Sequence, residues 1–322
     1  MNEQEKQKHN HKQKRVQVLL SSYQGERYLP AQLDSILSQK GVQVSILVRD
    51  DGSGDGTQRI LRDYAKKYAN LSAYSGQNLG TAKSFFHLLK HAGCSCSYYA
   101  FADQDDVWLE RKLAHAVSCL EKMERKYPGR PLLYAGNVIY ASKDLRIQQT
   151  VPDRCVRKPS FGNALTENIC IGCTQVFNRK LLELVRSHLP DGTVLHDWWM
   201  YLTAAYFGSV YYDPNAYILY RQHEKNQIGM QKTAAARWKN RALHFVGLRH
   251  KLSGQAALFR DAYAELLETD AQNKRNARSL GLLCAYRADE KKKWQLVFDQ
   301  AIYRQNRLDD LACRILFLAG YL

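Results

Sequence analysis

The sequence predicts an α/β fold: a mostly parallel sheet flanked by helices, followed by a helical C-terminal extension. Three observations carry that reading. Short apolar runs end in small polar or acidic residues, helical apolar spacing separates those runs, and beyond residue 230 the composition turns to Ala, Leu, Arg and Lys without a proline.

The first run, VQVLLSS at 16–22, has the aliphatic and β-branched character of a buried parallel strand. A loop with Tyr23, Gly25 and Glu26 follows, then Leu29, Leu33, Ile36 and Leu37 at helical spacing, with Gly41 at the stop. VSILVRD at 44–50 is the next strand, so the segment reads as a right-handed crossover unit. DDGSGDGT at 50–57 is a turn before a helix through Ile60, Leu61, Tyr64 and Tyr68. A short strand at 71–74, a loop at 76–80, a helix over 82–91 and a strand at 98–102 continue the alternation. Ligands of such sheets bind beyond the carboxyl ends of the strands, which places Ser21, Asp50, Asp51 and Asp103 along one edge.

After Trp108 a helix runs to about Lys126 and KYPGRP breaks it. Residues 132–140 read as a strand, 144–168 as irregular, 170–177 as a strand, 178–188 and 194–207 as helices, and 209–220 as a Tyr-rich strand. The expected organisation is a frayed polar N-terminus at 1–14, a catalytic α/β unit at 15–230 and a basic helical region at 231–322.

The 322-residue chain carries a formal charge of +16, and residues 230–322 hold 17 Lys and Arg against 9 Asp and Glu, half of that excess. A basic region of this kind meets an anionic partner, nucleic acid or an anionic membrane surface, or is a solvated face. No run reaches the ~20 apolar residues of a membrane-spanning helix. The polar start MNEQEKQKHNHKQKR lacks the apolar stretch of a secretory signal, and a cytoplasmic protein is expected. The eight cysteines read as free thiols, because the lone CxxC of Cys170 and Cys173 has no second pair at zinc-ribbon spacing.

Four constellations carry chemistry. Asp50-Asp51-Gly52-Ser53, just past a strand, offers carboxylates to a ligand's N–H groups. Asp103-Gln104-Asp105-Asp106 puts three carboxylates in four residues, and like charges that close repel unless a cation lies among them. Mg²⁺ or Mn²⁺ bound by one or two carboxylates completes its shell with phosphate oxygens and water, which suits a nucleotide diphosphate. In Leu195-His196-Asp197-Trp198-Trp199, flanking aromatic rings desolvate an acid and lift its pKa toward that of a general base, while the indoles offer sugar-stacking surfaces. Arg221-Gln222-His223-Glu224-Lys225-Asn226 adds an imidazole for a metal and cations for phosphates.

The motifs VLLSSYQGERYLPAQLDSILSQ, VRDDGSGDGT, QNLGTAKSF, FADQDDVW, GCTQVFNRKL, HDWW and YRQHEKN occur in one order over roughly residues 15–230. In these the chain resembles family-two inverting glycosyltransferases with the Rossmann-like GT-A fold, and among them the bacterial rhamnosyltransferase-like members. The resemblance implies a nucleotide-sugar donor held by Ser21, Tyr23, Glu26, Asp51, Asn78, Gly80, Lys83, Asp103 and Gln104. It implies a divalent cation on Asp105 and Asp103, with His223 as a further contact, and Asp197 as the catalytic base, with His196, Trp198 and Trp199 beside the acceptor. Many members have Glu-Asp where this chain has His196-Asp197, a departure that bears on the acceptor pocket. Asp106 is expected to cap the following helix.

The resemblance implies transfer of rhamnose from deoxythymidine-diphosphate rhamnose, or of a hexose from a uridine-diphosphate sugar, to a glycan or lipid-linked acceptor in cell-surface polysaccharide synthesis. A processive synthase is disfavoured, since neither membrane spans nor a Gln-x-x-Arg-Trp motif occur. A basic nucleic-acid-binding protein is the alternative that explains the charge, but it has no use for three carboxylates at a strand end. The basic tail is expected to dock peripherally on the inner membrane face, with packing on the catalytic unit and homodimerisation as competing readings.

Overall fold

The computed structural model describes residues 13–150, 155–192, 194–222, 245–270 and 273–322. In the first half, β1 (Arg15–Ser22), β2 (Gln43–Asp50), β3 (Leu71–Ser75) and β4 (Tyr98–Ala102) alternate with α1 (Leu29–Leu37), α2 (Thr57–Lys67) and α3 (Thr81–His91). Val16, Val18, Leu19 and Leu20 are all fully buried, so β1 is covered on both faces, which is why its apolar run does not alternate with polar residues.

The sheet order is β3-β2-β1-β4, all parallel, continuing through β8 (Val176–Asn178), β6 (Leu132–Ala141) and β9 (Ser209–Arg221) to β5 (Val107–Trp108), with β7 (Ile147–Thr150) on the flank of β6. The winding reverses between β1 and β4, and the crevice past their carboxyl ends is where an open α/β sheet binds ligands. Register pairs Ser22 with Asp50 and Leu20 with Ala102, so Ser21, Asp50, Asp51 and Asp103 fall along one edge, as the alternation predicts. Beyond β4 the pairing becomes mixed: β8 runs antiparallel to β4 and β6, and β9 parallel to β6.

Three local expectations are corrected. Residues 107–108 pair with β9, and the expected helix to Lys126 is α4 (Lys112–Lys126), whose N-cap Arg111 makes no side-chain cap, so Asp106 caps nothing. The stretch 144–168 holds β7 and a short α5 (Phe161–Ala164), whose Ser160 hydroxyl accepts from Asn163 N. The stretch 170–177 is a 3₁₀ turn at Gly172–Thr174 before β8, with Thr174 Oγ1 donating to Ile171 O at 2.7 Å.

After α6 (Arg179–Ser187) and α7 (His196–Phe207), the C-terminal region forms α8 (Lys251–Ala262), α9 (Ala264–Thr269), α10 (Lys274–Ala285), α11 (Glu290–Phe298) and α12 (Arg307–Leu318). These helices share a core with the α/β unit. Phe259 and Tyr263 of the α8 segment are fully buried against Trp199 and Phe207 of α7, and the cluster runs on to Phe101 and Leu19 of the sheet. Thr203 Oγ1 and Tyr263 Oη lie 2.9 Å apart, and Thr166 Oγ1 donates to Tyr303 O at 2.9 Å. A Cβ on Gly162 would lie 1.9 Å from Ala301 O, so the backbones of α5 and the 301–302 turn touch where only glycine fits. Among the described residues no helix is long and apolar enough to cross a membrane.

Candidate active site

The loop after β1 is knitted to two others. Gln104 bonds both ways to the Tyr23 backbone, accepting from Tyr23 N at 2.9 Å and donating to Tyr23 O at 2.8 Å. Gly25 N donates to Thr57 Oγ1 at 2.8 Å, Gln24 N to Ser53 Oγ at 2.9 Å, and Gly56 N to Glu26 at 3.0 Å. The glycines leave room for these side chains: a Cβ at Gly25 would lie 2.2 Å from Gln104 Oε1, and one at Gly56 2.2 Å from Glu26 Oε1, so either would displace its bonded partner. The DDGSGDGT turn is thereby the floor under residues 23–26. Asp50 closes it by accepting from Ser53 Oγ at 2.5 Å.

Asp51 is buried, and both of its oxygens are occupied: one by Arg49 and Leu79 N (2.8 Å), the other by Gly80 N (2.9 Å). Buried Arg49 also reaches Ser84 Oγ at 3.0 Å and Gln77 O at 2.8 Å, and Ser21 Oγ lies 2.6 Å from Ser84 Oγ. Of the nine residues expected to hold a donor, Asp51, Ser21 and Gln104 are thus engaged within the protein and shape the pocket through the loops they pin. Tyr23, Glu26, Asn78, Gly80 and Lys83 remain exposed at its rim.

The acidic turn after β4 is the electrostatic centre. The Asp103 carboxyl, partly open to the crevice, is pushed up to about 7 by burial and by the negative charges of Asp105 and Asp197. Asp106 is fully buried and pushed well above the usual carboxylate range by burial and by Asp105 and Asp103. Its Oδ1 accepts from Arg221 N at 3.2 Å. Its Oδ2 receives no N–H or O–H hydrogen bond from the described residues, and the Cys173 thiol lies beside it. Beneath them Lys112 is buried, its Nζ 3.6 Å above the Trp108 ring and its pKa drawn down to about 7 by burial.

The crowding of Asp103 and Asp106, with a buried oxygen lacking an N–H or O–H donor, fits a divalent cation, whose charge would favour the ionised form of both. Carboxylate oxygens of Asp103 and Asp106 lie within 4.8 Å of each other and of Cys173 Sγ, a set from which Asp105 is absent. The sequence expectation favoured Asp105 as a ligand and demoted Asp106, whereas the described geometry groups Asp106 with Asp103. His223, the third expected ligand, lies outside the described residues.

Asp197 opens α7 on the far side of the crevice, and Asp103 feels its charge. Its oxygens accept from Trp198 N at 2.8 Å and Gly172 N at 3.1 Å, with the Asn168 side chain as a third donor. Those bonds favour the carboxylate, yet burial outweighs them and sets its pKa at about 6. Gln175 Nε2 donates to Asp197 O at 2.9 Å and fixes the start of the helix.

Two acceptor expectations fail. His196 is buried, stacked on Phe85 at 4.0 Å and edge-on to Phe101 at 5.0 Å, and burial lowers its pKa to about 3, so it is a neutral core ring. Trp199 is fully buried against Phe259 and Tyr263. Trp198 alone stays partly open, with its Nε1 donating to Ala164 O at 2.6 Å. Helical periodicity explains the split, since adjacent residues at a helix start point to different faces.

The structure also brings in residues whose part sequence reasoning missed. Arg221, expected as a cation for phosphates, is buried. Its Nε donates to Asp105 O at 2.7 Å and its guanidinium lies 4.5 Å over Tyr28, so it clamps the acidic turn. Lys112, Asn168, Gly172 and Arg49 also join, and of these only Arg49 and Gly172 lie within quoted motifs, VRDDGSGDGT and GCTQVFNRKL.

Comparisons with known proteins show the family and the fold. The family model for Glycosyl transferase family 2 matches residues 17–185. The chain is 30% identical to the dTDP-rhamnosyl transferase RfbG of Shigella flexneri, covering 70% of this chain and 78% of that one. It is 23% identical to an uncharacterized glycosyltransferase of Rickettsia typhi, spanning 65% of this chain and 64% of that one. In fold it is similar to S. aureus TarS 1–349 in complex with UDP-GlcNAc, with a TM-score of 0.56 at 16% identity over 95% of this chain and 92% of that one. A mannosyltransferase from Pyrobaculum calidifontis in complex with GDP-Man and Mn²⁺ matches with a TM-score of 0.50 at 17% identity over 97% of this chain and 77% of that one.

Proposed function

The chain belongs to glycosyl transferase family 2 and is a nucleotide-sugar-dependent transferase, and on that premise we propose that it transfers a deoxyhexose, rhamnose, from a deoxythymidine-diphosphate donor to a glycan hydroxyl with inversion. The observation that carries the reading is the pairing across one crevice of a crowded acidic turn at 103–106 with an isolated, half-buried Asp197. Two acidic environments of different kind suit two tasks, holding a cation with its diphosphate and taking a proton.

In this mechanism Asp103 and Asp106 would hold the cation, with Asp105 alongside. When bound, it would neutralise the diphosphate as that group leaves. The rim of Tyr23, Asn78 and Lys83 positions the nucleotide, and Asp197 accepts the acceptor hydroxyl's proton while that oxygen attacks the anomeric carbon. Gly172 N, Trp198 N and Asn168 keep the carboxylate aimed throughout. Residues 15–222 supply these groups, and the helices from 245 onward brace α7 from behind.

The donor assignment follows the dTDP-rhamnosyl transferase relative, and uridine-diphosphate hexoses are the competitors. Thermal melts with Mn²⁺ across a panel of nucleotide sugars test it. The largest stabilisation is expected from the deoxythymidine-diphosphate rhamnose, and a larger shift from a uridine-diphosphate sugar would reassign the donor.

A pH dependence follows from Asp197, whose pKa of about 6 lies above the usual carboxylate value. Below it the group is protonated and cannot act as base, so kcat/KM should fall about tenfold per pH unit on the acid side and level off above neutrality. A flat profile down to pH 4.5 would exclude a base with this environment.

A further inference from the structure

The last two helices turn apolar side chains toward solvent. The inner face of α12 carries Cys313 and Phe317, the latter packed on Tyr286 at 5.4 Å. On its outer face Leu308, Leu311 and Ile315 are each 57% exposed and Leu318 37%. Their spacing of three, four and three residues makes a single stripe. On α11, Trp294 and Phe298 sit one turn apart, 52% and 72% exposed, with rings stacked at 6.0 Å. Arg314 joins the two helices by donating to Val297 O and Ile302 O, and Leu311 and Leu318 are its neighbours one turn to either side on α12. The aromatic pair and the aliphatic stripe therefore adjoin.

Exposed cations lie on the same two helices and on α10: Lys274, Arg275, Arg278, Lys291, Lys292 and Arg307. Arg278 lines one hollow with Trp294 and Phe298. Residues 274–322 hold ten Lys and Arg against five Asp and Glu. Exposed apolar surface with Trp and Phe on helices that also carry exposed cations matches the physics of an anionic lipid interface, where rings and aliphatic chains enter the headgroup boundary and cations meet phosphates. A second copy of the chain pairing through this face would set like charges against each other.

A groove lies between this face and a side chain that touches Asp197. A cavity of about 550 Å³ lies between residues 167–169 and 305–308. Asn168, on one wall, hydrogen-bonds Asp197, and Leu308, on the other, begins the exposed stripe. We propose that the α11–α12 face docks on an anionic membrane surface and that the groove admits the head of a lipid-linked acceptor to Asp197. The groove's part rests on the transferase reading of Asp197, whereas the docking face does not.

The full chain is tested by co-sedimentation with vesicles of phosphatidylglycerol and phosphatidylcholine against pure phosphatidylcholine. Preferential binding to the anionic vesicles is expected. Trp294→Ser with Leu311→Ser and Ile315→Ser should lower the partition at least tenfold, and Arg278→Ser with Lys292→Ser should lower it and flatten its salt dependence. Both variants should keep the parent's melting temperature and its stabilisation by nucleotide sugar, because the altered groups are exposed and belong to none of the donor loops. Transfer to an acceptor embedded in vesicles should fall in parallel with binding. Indifference of the parent to lipid charge, or apolar variants that sediment like the parent, would overturn the proposal. So would variants that merely convert a dimer to a monomer in sedimentation velocity while still binding vesicles. Normal vesicle binding by a chain that transfers no sugar would leave the docking face standing and remove the transferase reading instead.

Discussion

Asp197→Asn removes sugar transfer while leaving donor binding intact. The amide is nearly isosteric, and its oxygen still accepts from Gly172 N or Trp198 N, so the start of α7 keeps its shape. What it loses is proton affinity. A positioned general base contributes about 10²–10⁴-fold, and a drop of that order in kcat is expected with the nucleotide-sugar affinity unchanged. Single-turnover transfer beside a donor titration separates the two effects. Turnover within tenfold of the parent would remove Asp197 from the base's position.

Asp103→Asn has the opposite signature. In the cation-free protein this carboxyl is held up near 7 by burial and by its acidic neighbours, so its ionised form is disfavoured in the fold. For a group whose folded pKa is raised, stability is lost as pH climbs from the unfolded value through the folded one. The amide escapes that loss, and at pH 8 in chelator the variant should melt higher than the parent. With Mn²⁺ present the order should reverse in binding: the parent gains nucleotide-sugar affinity and the variant does not, a difference of tenfold or more. A donor affinity indifferent both to chelator and to this substitution would refute the cation site.

The contrast between these variants shows how far the sequence was legible. The parallel half of the sheet could be read because β1, β2 and β4 end in residues that register side by side, Ser22 with Asp50 and Leu20 with Ala102. The later strands were harder, because β5 is two residues long and pairs with β9, more than a hundred positions away. Local pattern cannot announce such a partner. Asp106 was misread for the same reason: its neighbours Arg221, Cys173 and Lys112 come from three other elements, so its burial is a tertiary fact.

The aromatic run at 195–199 teaches a related lesson. Its chemistry suggested a sugar platform, but α7 turns His196 and Trp199 into the core and leaves only Asp197 and Trp198 toward the crevice. The C-terminal region was legible as helical and basic from composition. That it braces α7 through Phe259 and Tyr263, while turning Leu311 and Ile315 outward, required knowing which of two apolar faces met the catalytic unit.

The central claim is a single in-line displacement assisted by one base, Asp197, opposite an acidic turn that holds the diphosphate. The anomeric configuration of the transferred sugar, read by NMR on the first product formed, tests it most directly. The account predicts a glycosidic bond of configuration opposite to that of the donor, whereas a retained configuration would require two displacements through a different nucleophile and would contradict it.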